Sequence, residues 1–77
     1  MNEERRSRIS KIIPRLVEIH KEVKQLEKEE TSAFESLPKG LRDTKQGIKS
    51  EGATCDLFNS AAKIEESIRD LTDAVKS

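Results

Sequence analysis

An apolar residue stands at every third or fourth position over two long stretches of this chain, and this recurrence constrains the fold more than any other feature. Alternating steps of three and four place such residues along one side of an α-helix. No stretch shows the period of two that a half-buried strand requires. The two series are Ile9, Ile12, Leu16, Ile19, Val23, Leu26, Glu30, Ala33 and Leu37, in which Glu30 is the one polar member, and then Leu57, Ala61, Ile64, Ile68, Leu71 and Val75. The sequence therefore predicts an all-α protein with two long helices, each carrying a coiled-coil-like stripe.

The stretch between the two stripes predicts a sharp corner. Pro38 cannot continue a helix, and Gly40 can adopt a left-handed turn. Asp43 followed three residues later by Gln46 fits a capping box at the start of a helix. We therefore predict a single domain over 1–77, with helix one at about 3–36, a turn at 37–43 and helix two at about 44–76.

Three residues inside these predicted helices are unfavourable there. Pro14 either kinks helix one or marks a start near Ser10, because a proline is tolerated in the first turn of a helix. Gly47 and Gly52 each weaken helix two by about 1 kcal/mol relative to alanine. Either a neighbouring backbone approaches these glycines closely, or the first turns of helix two are frayed.

A short corner between two long helices predicts an antiparallel hairpin. Folding the chain back near Gly40 sets Val23 beside Leu57, and apolar positions then face each other at each level. The net charges of successive segments are +3 for 1–24, −3 for 25–36, +3 for 37–50 and −3 for 51–77. The fold-back sets each basic segment beside an acidic one, whereas a parallel two-chain coil would set like charges together.

Two helices alone leave part of the apolar surface exposed, because side chains beyond the seven-residue series widen both stripes. A 77-residue chain without a disulfide is also marginal as an isolated fold. We therefore predict self-association, with a homodimeric four-helix bundle as the most direct solution. The residues predicted to form the hairpin or oligomer core are Ile9, Ile12, Leu16, Ile19, Val23, Leu26, Phe34, Leu57, Phe58, Ala61, Ile64, Ile68, Leu71 and Val75.

The sequence offers little for catalysis, metal binding or membrane insertion. His20 and Cys55 are the only residues of their types, and we interpret both as ordinary helix residues. No glycine-rich phosphate loop or metal-ligand spacing is present, so we predict no enzyme activity, no metal and no cofactor. Because no apolar run exceeds two residues, we expect a cytoplasmic protein with no membrane contact. A lone cysteine fits a reducing compartment.

Two basic clusters are candidate binding sites. The first is an arm that would contact phosphates of a nucleic acid or, as we favour, acidic side chains of helix two. Its residues are Arg5, Arg6, Arg8, Lys11 and Arg15. The second lies at the corner and would hold an anion or a partner, or would simply be a solvated loop. Its residues are Lys39, Arg42, Lys45 and Lys49.

The residues around the corner form a recognisable motif. It consists of Ala33-Phe34, two residues, Leu37-Pro38, then Gly47, Ala53, Leu57 and Ala61, and the run 64–68. This motif resembles a loose family of small helical proteins from phages, prophages and other mobile elements, and the likeness covers about residues 28–70. The resemblance implies a helical hairpin and no particular activity. In size and architecture the chain also resembles the repressor-of-primer type of RNA-binding four-helix dimer.

Three functions follow as hypotheses. The first is a non-enzymatic, oligomeric module that binds itself and another protein, as accessory and anti-defence proteins of mobile elements do. The second is an RNA-binding four-helix dimer that uses the basic arm, with nucleic acid the less favoured partner. The third is a sponge for a small nucleotide signal, held between subunits by the basic corner.

Overall fold

The computed structural model describes residues 1–77 and contains three helices. They are α1 (Glu3–Glu35), α2 (Lys39–Arg42) and α3 (Lys45–Lys76). There is no strand, so the predicted all-α class is confirmed. The segment interpreted from sequence as a turn at 37–43 contains α2, a single helical turn.

The first helix begins at a favourable cap. The side chain of Asn2 accepts a hydrogen bond from the backbone N–H of Arg5 at 2.9 Å, and Glu3 and Glu4 complement the positive end of the helix dipole. The helix runs without interruption through Pro14. A start near Ser10, one of the two alternatives for this proline, is therefore wrong.

Side-chain contacts between α1 and α3 run in opposite directions along the two helices. Ser50 contacts Glu30, Phe58 contacts Lys24, and Glu65 lies near His20. Successively later residues of α3 thus meet successively earlier residues of α1. The longest dimension of the molecule is 58 Å, close to the roughly 50 Å of a 33-residue helix alone, so the two long helices share that length side by side.

The start of α3 differs from the prediction. The N-cap is Thr44, whose hydroxyl accepts a long hydrogen bond from the N–H of Gly47 at 3.5 Å. Asp43 instead ends α2, and its backbone N–H is directed to the Leu41 carbonyl. The predicted capping box of Asp43 and Gln46 is therefore wrong, because Asp43 is the C-cap of α2 and the N-cap of α3 is the next residue, Thr44.

The two glycines near the start of α3 have different explanations. Gly47 is buried, and a Cβ atom there would overlap the carbonyl oxygen of Arg42 and lie 2.6 Å from that of Leu41. Gly52 has open space around the position of a Cβ atom. Close backbone approach therefore accounts for Gly47 alone.

The contact between the long helices is narrow and poorly buried. Only Gly47 and Ala61 are buried among all 77 residues. On α1 the half-buried positions include Ile13, His20 and Phe34. Four residues predicted for the hairpin or oligomer core, Ile12, Ile19, Leu26 and Phe58, are exposed in the single chain, so the contact between α1 and α3 alone does not bury them.

The rotation of α1 explains the exposure of Ile12, Ile19 and Leu26. Because α1 has adjacent apolar residues such as Ile12 and Ile13, either of two neighbouring rows could face α3. The sequence pattern favours the row that contains Ile12. At the corner, Phe34 lies under the guanidinium of Arg42, whose carbon is 5.6 Å from the ring centroid. Phe34 is half-buried here, whereas its neighbour Ala33 is exposed.

Neither long helix contains an apolar stretch long enough to cross a bilayer.

Candidate functional site: an exposed apolar face

The outward turn of α1 leaves a row of large aliphatic side chains in solvent. Ile12, Ile19 and Leu26 are spaced by seven residues and are 39%, 45% and 53% exposed. Ala33 continues the row by the same step. Residues at this spacing lie one above another on a helix that packs at a coiled-coil angle, so the row runs along most of α1.

A row of small residues accompanies it on α3. Ala53, Ser60, Ser67 and Ala74 are also spaced by seven. Ala53 and Ala33 line the same surface groove, which places the two rows on one side of the molecule. We name the surface formed by the two rows, Ile12, Ile19, Leu26, Ala33, Ala53, Ser60, Ser67 and Ala74, the open face.

The opposite side of the molecule has a different character. The Nζ of Lys24 lies 5.7 Å from the ring centroid of Phe58, which is 56% exposed. On the helical repeat Lys24 and Phe58 lie across the seam from the two rows of the open face. A lysine over the ring gives this side a mixed polar and aromatic surface, so the continuous aliphatic row is confined to the open face.

The open face combines large side chains on one helix with small ones on the other. Large aliphatic side chains have most to gain from removal from water, at about 25 cal/mol per Å². Small side chains let another helix approach closely. This arrangement is suited to docking a further helical surface.

The basic arm is exposed and makes few contacts. Arg6 pairs with Glu3 of its own helix, with Nη1 and Oε1 2.6 Å apart. No ion pair joins the arm to the acidic residues of α3 that were expected as its partners. Glu65 lies instead near His20, with Nε2 and Oε2 3.9 Å apart.

The basic corner is divided between two roles. The Arg42 side chain donates to the Glu35 carbonyl at 2.8 Å and to the Leu37 carbonyl at 3.3 Å. It thereby satisfies carbonyls at the end of α1, where no basic residue occupies the last helical turn. The predicted anion-binding set of Lys39, Arg42, Lys45 and Lys49 is thus reduced to its three lysines, since the arginine is used within the fold.

The single cysteine and histidine form no reactive arrangement. Cys55 is exposed, and His20 is half-buried beside Glu65. No group of three histidine, cysteine or acidic side chains is arranged to hold a metal ion.

Sequence reasoning missed the α3 half of the open face. The signal was present, since small residues recur every seven positions, but two of them are serines and lie outside an apolar pattern. Comparison with known proteins adds no relative: no family model, no curated protein and no solved structure matches this chain.

Proposed function

We propose that this chain is an antiparallel helical hairpin that self-associates into a dimeric four-helix bundle and acts as a protein–protein interaction module without enzyme activity. The open face is the surface through which two copies join. The remaining exposed surface, including Phe58 on the opposite side, is available to a different protein.

The observation that carries this proposal is the near absence of a core in the single chain. Ala61 is the only buried apolar residue, and no large side chain is fully buried. A chain of this length requires extensive burial, staples or a partner to fold stably. The only cysteine is free and no metal group is present, so a second copy is the remaining source of burial within this sequence.

The magnitude of the expected gain is consistent with a reversible dimer. Burying the exposed part of Ile12, Ile19 and Leu26 is worth on the order of 1 kcal/mol per side chain, or roughly 6 kcal/mol for two copies. The association cost is of similar size. The smaller residues of the open face and its charged edges must therefore add to the affinity, and micromolar dissociation is the natural range.

Thermal unfolding at several protein concentrations tests the self-association. If folding and dimerisation are coupled, the unfolding midpoint rises by several degrees over a hundredfold increase in concentration. A midpoint that stays constant over this range contradicts the proposal. Far-ultraviolet circular dichroism gives the readout, since nearly all residues are helical.

The biological setting that we propose comes from the sequence resemblance at the corner. In this setting the chain acts as an accessory or anti-defence factor in the cytoplasm, where a free exposed thiol such as Cys55 stays reduced. Purification of the tagged chain from its own host, followed by mass spectrometry, tests for a second protein partner.

The exposure of the basic arm favours a second candidate function. Arg8, Lys11 and Arg15 are exposed and make no ion pair within the chain. Such a cluster can contact phosphates, as expected of an RNA-binding four-helix dimer. Binding to structured RNA that weakens steeply with salt would support this function, whereas no binding at low salt removes it.

A further inference from the structure

The open faces of two copies have complementary side chains when the α1 helices of the two copies lie antiparallel to each other. We propose that a second copy of this chain covers the open face about a two-fold axis beside Ile19, with the two α1 helices antiparallel. This inference rests on the proposed self-association and adds its geometry. The occupant is fixed by the order of side chains along the face and by the charges at its edge.

The three large side chains of the aliphatic row are symmetric about Ile19. In an antiparallel pair centred there, Ile19 meets Ile19 of the second copy and Ile12 meets its Leu26, because both are seven residues from the centre. Each large exposed aliphatic side chain of the row thus opposes another of similar size, and Ala33 lies at the end of the row, beyond these pairs. A two-fold interface requires this kind of self-complementarity.

The edge of the open face on α1 carries charges in the order that the same axis requires. A further row at seven-residue spacing, Arg8, Arg15, Glu22 and Glu29, lies immediately outside the aliphatic row. All four side chains are exposed and none makes an ion pair within its own chain. Antiparallel pairing sets Arg15 opposite Glu22 of the second copy and Arg8 opposite Glu29, so every pair has opposite charges.

Parallel pairing of the two α1 helices would place like charges opposite each other. It would set Arg15 against Arg15 and Glu22 against Glu22 of the second copy. Directly opposed like charges disfavour an interface. The edge of α1 therefore selects the antiparallel direction.

The row of small residues on α3 is compatible with the same two-fold axis. Ser60 then meets Ser67 of the second copy, and Ala53 meets its Ala74, so small residues face each other and the α3 helices can approach closely. The outer row of α3 sets Asp56 opposite Asp70 and Lys63 opposite Lys63 in this arrangement. These like-charged pairs oppose it, so the direction rests on the oppositely charged pairs of the α1 edge, where the large side chains meet.

Disulfide trapping tests the position of the axis. A chain with Cys55→Ser and Ile19→Cys places two thiols next to each other only if Ile19 lies at the axis. We expect mild oxidation to link most chains into covalent dimers. Gln25→Cys in the same Cys55→Ser background is the matched control, because its side chain points away from the open face, and it should stay mostly unlinked.

The outcomes separate this inference from the proposed function. Sedimentation of the reduced Ile19→Cys chain reports whether it dimerises. A dimer in which position 19 does not cross-link overturns the axis and leaves self-association intact. A monomer overturns both. A dimer that links instead through Gln25→Cys places a different side of α1 at the interface.

A charge exchange tests the edge without changing the aliphatic row. Arg15→Glu and Glu22→Arg should each weaken the dimer by about tenfold, because each creates two like-charged pairs across the axis. The double variant restores opposite charges and should regain most of the lost affinity. A double variant as weak as the single ones would overturn the antiparallel arrangement.

Discussion

The hydroxyl of Ser50 donates a hydrogen bond to Oε1 of Glu30 at 2.8 Å, across the contact between α3 and α1. Both residues are half-buried, and Glu30 is the one charged member of the apolar series on α1. This is the only hydrogen bond that joins the two long helices directly through side chains. A polar pair at a single level fixes how far one helix can slide along the other.

Replacing this pair with apolar residues should raise stability and lower specificity. In the double variant Glu30→Leu and Ser50→Ala, we expect a gain in unfolding free energy of about 1–2 kcal/mol, because no charge has to be held at the contact. We also expect broader amide peaks in nuclear magnetic resonance spectra, since registers shifted by one helical turn become accessible. Glu30→Leu alone leaves the Ser50 hydroxyl without its partner and should gain less. A double variant with unchanged sharp peaks would show that the pair does not set the register.

Replacement of each of the two glycines of α3 with alanine should change the stability of the protein in opposite directions. Gly47→Ala should destabilise the protein by about 1–3 kcal/mol, because its Cβ would overlap the backbone of α2. Gly52→Ala is the matched control and should stabilise it by about 0.5–1 kcal/mol, because alanine favours a helix and the site is open. Chemical denaturation measures both. Similar effects of the two substitutions would contradict the close approach at Gly47.

The Arg42 side chain should matter more for the corner than any of the lysines near it. Arg42→Ala removes two hydrogen bonds to carbonyls at the end of α1 and the contact with the Phe34 ring. We expect a loss of about 1–2 kcal/mol. Faster hydrogen exchange should be confined to the last turn of α1 and to α2. Lys39→Ala, the control, should change stability by less than about 0.5 kcal/mol, and an equal effect at both positions would argue against the cap.

The aliphatic row should control dimer affinity. In the double variant Ile12→Ser and Leu26→Ser, four side chains leave the interface at about 1 kcal/mol each, which weakens association by roughly a hundredfold to a thousandfold. Phe58→Ser is a demanding control, because Phe58 is equally exposed but lies on the opposite side. Analytical ultracentrifugation compares the two. Loss of the dimer in Phe58→Ser with little change in the double variant would place the interface on the other side.

The positions of the helices could be read from the sequence, but the rotation of α1 could not. The helices depend on local signals, namely the three-and-four periodicity and the break at Pro38. The rotation depends on which of two neighbouring apolar rows faces α3. Ile12 and Ile13 are equally hydrophobic, so a one-dimensional pattern cannot choose between them. The choice depends on contacts in three dimensions that the pattern does not contain, such as the one between Arg42 and Phe34, eight residues apart around a corner.

The sequence indicates that an apolar interface exists, but it does not identify the residues that form it. The two stripes contain more apolar side chains than two packed helices can bury, and this excess indicates a further copy of the chain. Ile19 was expected in the contact between the helices, however, and it lies in solvent. The small residues of α3 that complete the open face, such as Ser60, carry no hydrophobic signal, and their role depends on the three-dimensional position of the α1 row beside them.

Sedimentation equilibrium of the unmodified, reduced chain measures self-association without any substitution. We expect a molar mass of twice the 8.7 kDa chain at concentrations well above micromolar, with dissociation on dilution. A mass of 8.7 kDa at every concentration, with the helices fully formed, would show that one copy is stable with its aliphatic row in water. That result would rule out the dimeric four-helix bundle.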